Sequence, residues 1–264
     1  MSFTEHNENG LRYLTAPGLG ARHAFTTRSG GVSGGAFASL NLSFGRGDPA
    51  ENVLENYRLL GAALGIDPFS AAYTKQVHGT NVRVVTDADR VSPLDPAPCG
   101  ADGLVTNVPG LPLFCFIADC VPVLLCDEIH GVIAAVHCGW RSSVDDILGV
   151  TVGKMVSLGA VPGDIHAAIG ASIGRCCFET DGDVPQALRA YLGAEAEAFI
   201  FPDGGGKYHV ELRGANARRL TQLGLRRECI TVSEECTMCL HEKYWSHRYV
   251  RGGERGSQCA VITL

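Results

Sequence analysis

The chain has no apolar run long enough to cross a bilayer. Its most apolar segment, Leu111–Cys126, is broken by Pro112, Asp119 and Pro122, whereas a spanning helix needs about 20 predominantly apolar residues. An export signal is also missing, because Met1 to Gly10 are polar and contain no apolar core. Both absences predict a cytoplasmic protein with no membrane partner. Positive charge is scarce as well. With 22 Lys and Arg against 28 Asp and Glu the net charge is −6, which offers no basic face to a nucleic-acid backbone. Small molecules remain as the expected partners, and the sequence does not set the number of subunits. No Pro/Gly/Ser linker divides the 264 residues; the nearest approach is the three-proline loop Ser92–Gly100, with Pro93, Pro96 and Pro98. One domain spanning 1–264 is expected, ample for burying a core.

The cysteines and histidines lack the compact spacing of a zinc finger. Cys236-Thr-Met-Cys239 has CxxC spacing, but with no second such pair it is a weak signal for metal or redox chemistry. The nine histidines include no HxH pair, so the several His-rich clusters of a multi-copper oxidase have no evident ligands. Eleven cysteines, an odd number in a chain without an export signal, read as reduced thiols.

Against these absences stand three residues, each where an apolar, β-branched run stops: His78 in Tyr-Thr-Lys-Gln-Val-His-Gly, Cys120 in Ile-Ala-Asp-Cys-Val-Pro, and His137 in Ala-Ala-Val-His-Cys-Gly-Trp-Arg. Strand ends are where sites are built. Two imidazoles and a thiolate also make a three-ligand set for Zn²⁺ that leaves a fourth position open, although copper accepts the same donors. Taken singly, a histidine after a strand is more often a hydrogen-bonded surface or core residue than a ligand, and a cysteine in an apolar run is usually an inert core thiol. Cys120 with His137 also suits a nucleophile and its base.

Periodicity predicts strands over 72–78, 82–85, 113–117, 121–126 and 132–137, the last two joined by a turn at 128–131. Asp48-Pro49-Ala50-Glu51 reads as a helix start, Asp48 being the N-cap, followed by Val53, Tyr57, Leu60 and Leu64 at helical spacing. Ser143 is the expected N-cap of a helix carrying Val144, Ile147, Leu148, Thr151, Met155 and Leu158. His137 would then face a helix N-terminus, where Arg141 beside it would make an anion site or else pair with Asp145. The glycine-rich run 29–35 fits neither the Walker nor the dinucleotide spacing, and Asp203-Gly-Gly-Gly206 reads as a surface turn.

Whole segments add a resemblance. Phe-Thr-Thr-Arg-Ser-Gly-Gly-Val-Ser from Phe25, Ser-Leu-Asn-Leu from Ser39, Lys-Gln-Val-His-Gly from Lys75 and Ala-Asp-Gly-Leu-Val-Thr from Ala101 occur in order. Ala-Asp-Cys-Val-Pro-Val-Leu-Leu from Ala118, Ala-Ala-Val-His-Cys-Gly-Trp-Arg from Ala134, Ile-Gly-Ala-Ser-Ile-Gly-Arg-Cys-Cys-Phe-Glu from Ile169 and Tyr-Trp-Ser-His-Arg from Tyr244 follow. So arranged, the chain resembles the laccase-domain family, also called multi-copper polyphenol oxidases and described as purine nucleoside phosphorylases or peptidoglycan editing factors. The resemblance departs at Ser142-Ser143 for the usual Gly-Thr, at Gly174-Arg175-Cys176-Cys177 for Gly-Pro-Cys-Cys, and in the tail Tyr249–Gly256. These changes spare the three candidate ligands and fall on the pocket.

The resemblance implies an α/β fold, one domain with a mixed β-sheet core flanked by helices, and a metal held by His78, Cys120 and His137. It implies phosphorolysis of adenosine, inosine and methylthioadenosine, with adenosine deamination alongside, on a nucleoside and phosphate with Zn²⁺, Cu²⁺ being the alternative ion. Arg28, Asp119 and Arg141 are the catalytic candidates, and Asn41, Gln76, Asp102 and Arg248 the substrate-binding ones. Asp119 and Asp102 could instead orient ligands. The competing expectations are a cysteine hydrolase editing cell-wall precursors through Cys120 and a copper-dependent phenol oxidase.

Overall fold

A computed structural model describes residues 2–95 and 100–264, so the expected proline loop falls at 96–99 outside the described residues. In chain order the strands are β1 (Thr4–Glu8), β2 (Leu11–Thr15), β3 (Arg22–Thr26), β4 (Val82–Val84), β5 (Gly103–Thr106), β6 (Leu113–Ile117), β7 (Val121–Asp127), β8 (Val132–Cys138), β9 (His166–Ile169), β10 (Glu179–Thr180), β11 (Ile200–Gly204), β12 (Lys207–Val210), β13 (Ile230–Val232) and β14 (Gln258–Thr263). The helices are α1 (Ala50–Leu64), α2 (Trp140–Val144), α3 (Ile147–Ser157), α4 (Asp183–Leu192), α5 (Leu212–Gln222) and α6 (His247–Val250).

The expected α/β class and mixed sheet are present. That sheet has six strands, ordered β13-β9-β7-β8-β5-β4, parallel at both edges and antiparallel between. Against it lies a second, antiparallel sheet, β1-β2-β3-β14-β6, and β10-β12-β11 form a small third sheet. Strand periodicity explains the layering. Along β7 and β8, Leu124, Cys126, Ile133 and Ala135 face the five-stranded sheet. Val123, Leu125, Ala134 and Val136 point the other way, into a core shared with α3, α4 and α5. These strands are apolar throughout because both faces are covered, as for any central strand.

On the outer face of the five-stranded sheet, Phe114 and Val261 pack under Val53, Tyr57 and Leu60 of α1, the side its helical spacing predicts. Asp48 does not cap this helix. Its carboxylate accepts from Ser33 Oγ at 2.7 Å and Asn41 Nδ2 at 2.8 Å, tying two loops together, and α1 starts after Pro49. Ser143 is not an N-cap either. The expected helix breaks at Asp146, whose φ is 66°, and the Asp146 side chain caps α3 from Gly149 N. The 72–78 segment is extended but joins the sheets only through isolated bridges, Ala72 to Leu113 and Lys75 to Gly100.

Candidate active site

His137 keeps the parity of Ile133 and Ala135, so it projects between the two sheets at the end of β8 where they part. Cys120, just before β7, has the parity of Leu124 and Cys126 and borders the same cleft. His78 reaches it from the bridged segment with φ of 60°, a conformation few non-glycine residues adopt. The two imidazole rings lie 4.8 Å apart and nearly perpendicular. Cys120 Sγ is 3.9 Å from His78 Nε2, and one ligand atom from each residue falls within 4.8 Å of the others.

Asp102, at the start of β5, holds this arrangement. Its Oδ1 accepts from His137 Nδ1 at 2.8 Å and from the His78 backbone N–H at 2.9 Å; its Oδ2 accepts from Val77 N at 3.1 Å and Gly79 N at 2.8 Å. One buried carboxylate therefore stabilises the left-handed turn at His78 and turns Nε2 of His137 toward the cleft. Burial pushes the Asp102 carboxyl up, but its bond to His137 and those from Gly79 and Val77 outweigh burial and hold it below its ordinary value. Burial likewise opposes charge on Cys120 and His137. For Cys120 the neighbouring imidazoles of His137 and then His78 reverse this and bring the thiol to about 6, while for His137 the bond to Asp102 and then the Cys120 sulfur raise the imidazole to about 9.

Two cavities meet at this triad. One, of about 320 Å³, is lined by Phe44, Tyr73, Gln76 and Phe116. The other, of about 460 Å³, is lined by Trp140, Arg141, Phe178, His247 and Arg248. His78, Cys120, Arg46 and Arg255 border both. Their volumes fall within the range of small-molecule pockets. Among the described residues, no carboxylate lies within ion-pair distance of Arg46, Arg141, Arg248 or Arg255. The guanidinium groups thus face a cleft that can hold an anion, and Arg141 lies over the Trp140 ring instead of pairing with Asp145. Burial and nearby Arg46 draw the pKa of Arg255 down.

The remaining sequence candidates divide. Gln76 lines the aromatic cavity while exchanging two 2.7 Å hydrogen bonds with the Phe116 backbone. Arg248 lines the cationic cavity, and its Nη1 reaches the Glu179 carbonyl. Asp119 borders the same cavity, but Thr237 Oγ1 donates to one of its oxygens at 2.6 Å and Arg248 N to the other at 2.7 Å. Both oxygens being occupied, Asp119 positions the Cys120 turn. Two candidates are not brought to the cleft. Arg28, a catalytic candidate, stacks on Trp245 and donates to the carbonyls of Ala38 and His241, which occupies its guanidinium. Asn41 is fully buried and bonds Ser43, Asp48 and Ser257, leaving no group for a substrate. Arg46 and Arg255, which the sequence did not single out, border both cavities. Each sits beside glycine, in Gly45-Arg-Gly47 and Arg255-Gly256, a composition that marks loops able to bring a side chain to a ligand.

Residues 22–264 match the family described as Multi-copper polyphenol oxidoreductase laccase. A protein named purine nucleoside phosphorylase from Deinococcus radiodurans is 40% identical over 255 residues, covering 97% of this chain and 94% of that protein. A protein named adenosine deaminase RL5, from an unknown prokaryotic organism, is 33% identical over 229 residues, covering 85% of this chain and 87% of its own length. Among solved structures, YlmD from Geobacillus stearothermophilus superposes with a TM-score of 0.93 at 34% identity, covering 99% of this chain and 98% of that one.

Proposed function

The chain belongs to the multi-copper polyphenol oxidoreductase laccase family, and on that premise we propose that it is a zinc-dependent purine nucleoside phosphorylase acting on adenosine, inosine and methylthioadenosine, with adenosine deamination as an accompanying reaction. The observation that carries this reading is that the two cavities meeting at one His, Cys, His triad bring aromatic side chains, Tyr73 and Phe116, and arginines without a carboxylate partner among the described residues, Arg46, Arg248 and Arg255, to the same place. A nucleoside and a phosphate need those two surroundings side by side.

The triad fits zinc. Zn–N near 2.0 Å and Zn–S near 2.3 Å imply a tetrahedral N···S edge of about 3.5 Å, a few tenths of an ångström below the 3.9 Å between His78 Nε2 and Cys120 Sγ. Three ligands leave a fourth position open. When bound there, zinc supplies Lewis acidity toward a substrate oxygen.

The protein's own groups account for the rest. In phosphorolysis a phosphate oxygen bonds to C1′ as the C1′–N9 bond breaks; the electron pair goes to the purine, which takes up the proton that hydrogen phosphate gives up on forming the ester. Arg46, Arg248 and Arg255 offset the phosphate charge and keep it on one face of the sugar. The rings of Tyr73 and Phe116, stacked 6.1 Å apart, offer planar apolar surface to a base. Asp102 keeps His137 aligned, and Asp119 fixes the turn carrying Cys120.

Chromatography of inosine incubated with zinc-loaded protein, with and without phosphate, tests the reading. Hypoxanthine should form only with phosphate and should be absent with His78→Ala. If no base is released under any condition, the assignment fails. A second reading has its own observation: the Cys120 thiol, lowered to about 6 beside His137, would serve a cysteine hydrolase acting on a cell-wall amide. Activity that survives complete metal removal and is abolished by alkylating Cys120 would favour that reading.

A further inference from the structure

Away from the cleft, four cysteines that the sequence separates by about sixty positions converge. β9 and β13 pair in parallel, Ala167 opposite Ile230, so the chain leaves both strands at the same end and the following segments run side by side. Ser172 bridges Cys236 in parallel, and Thr237 N donates to Ser172 O at 3.0 Å. This brings Cys176-Cys177 against Cys236-Thr-Met-Cys239. The Sγ atoms of Cys176 and Cys177 each lie 3.4 Å from Cys239 Sγ, and all four sulfurs fall within 4.8 Å of one another.

We propose that these four thiolates bind a second metal ion, zinc, in a closed structural site distinct from the triad. A tetrahedron with Zn–S of about 2.3 Å has S···S edges of about 3.8 Å, so the sulfurs need only small adjustments to close on one ion. The donor set is all-thiolate, which selects zinc or iron in tetrahedral geometry and leaves no position open for substrate. The surroundings suit such a site. Gly174 N donates to Cys236 Sγ at 3.2 Å, the kind of support that orients metal-bound thiolates. Four thiolates on a divalent ion carry excess negative charge. Arg248 Nη1 lies 3.5 Å from the Cys177 carbonyl, so one cation stands nearby; Arg213, beside Gly174, is paired with Glu211.

The site would brace the active cleft. Thr237, between two of the ligands, donates to Asp119 beside Cys120, and Phe178, next to Cys177, lines the cationic cavity. Losing the ion should loosen that wall while leaving the triad's own ligands in place.

The test is metal stoichiometry on the full-length protein, purified reduced, equilibrated with Zn²⁺ and desalted. About two zinc ions per chain are expected in the parent, about one in His78→Ala, about one in Cys176→Ser/Cys239→Ser, and none with all three changes. If His78→Ala holds no zinc, or if the serine pair does not lower zinc content in the His78→Ala background, the proposal is overturned. So it is if iron replaces zinc or the four sulfurs are recovered as disulfides. Should the serine variants fail to fold, Co²⁺ loaded into His78→Ala gives the answer. An intense thiolate-to-cobalt charge-transfer band supports the site, and its absence refutes it. Failure of phosphorolysis leaves these counts unaltered, so the two assignments fail separately.

Discussion

Replacing Asp102 with Asn probes the centre of the site without changing its shape. The carboxylate accepts four N–H groups, from Val77, His78, Gly79 and His137. If the remaining carbonyl stays on the His78 and His137 side, the new amide points its own N–H groups at the donors of Val77 and Gly79. Two bonds to a charged acceptor are lost, each worth about 1.5–3 kcal/mol. Val77 is exposed and Gly79 half-buried, so water recovers part, and the net cost should be about 2–3 kcal/mol. For a chain of this size that lowers Tm by roughly 4–10 °C, and slackening of the His137 imidazole should weaken metal binding by about 10–100-fold. Because the Asp102 carboxyl is held below its ordinary value, its contribution is fully present above the unfolded value of about 3.9 and is lost as pH falls through the lower folded value. The stabilities of parent and variant should therefore converge in acid. Thermal melts across pH and competition with a chelator measure both effects. An Asp102→Asn protein with unchanged Tm at neutral pH and unchanged metal affinity would refute the reasoning.

Other perturbations separate the roles of neighbouring groups. Arg248→Ala should raise the KM for phosphate by tenfold or more, since a charge-assisted contact is worth about 1.5–3 kcal/mol, while the nucleoside KM changes little because Arg248 borders only the cationic cavity; equal changes in both would argue against an anion site there. In metal-free protein the Cys120 thiol, lowered to about 6, should become reactive toward iodoacetamide as pH rises through that value, and zinc should protect it; peptide mapping of the labelled protein reads this directly. Asp146→Ala removes the cap on α3 and the acceptor of Arg219 Nε at 2.9 Å and Tyr191 Oη at 2.9 Å. A loss of about 2–3 kcal/mol in urea denaturation is expected, with activity otherwise intact. Arg28→Lys should lower stability and leave the KM for phosphate unmoved, because the guanidinium is engaged with main-chain carbonyls; a selective rise in that KM would restore it as an anion contact.

Local periodicity determined much of this molecule. The apolar spacing of α1 names the face it buries, and the continuous hydrophobic runs of β7 and β8 announce strands covered on both sides, because such patterns are written within a few consecutive residues. Even the convergence of His78, Cys120 and His137 could be suspected, since each follows a strand-like run. Tertiary structure decided what distance along the chain conceals. Asp102 could be suspected of orienting a ligand, but only the pairing of β5 with β8 places its carboxylate under both histidines. Arg28 and Asn41 carry attractive side chains in glycine-rich and polar contexts, yet long-range neighbours such as His241 and Ser257 claim their hydrogen bonds. Arg46 and Arg255 gain their meaning only by meeting over the cleft from opposite parts of the chain. Cys236 and Cys239 look isolated because their partners at 176 and 177 arrive through the parallel pairing of β9 with β13. Short-range sequence records which face is buried; which polar groups remain free for chemistry is a property of the packed chain, where most buried donors and acceptors already have partners.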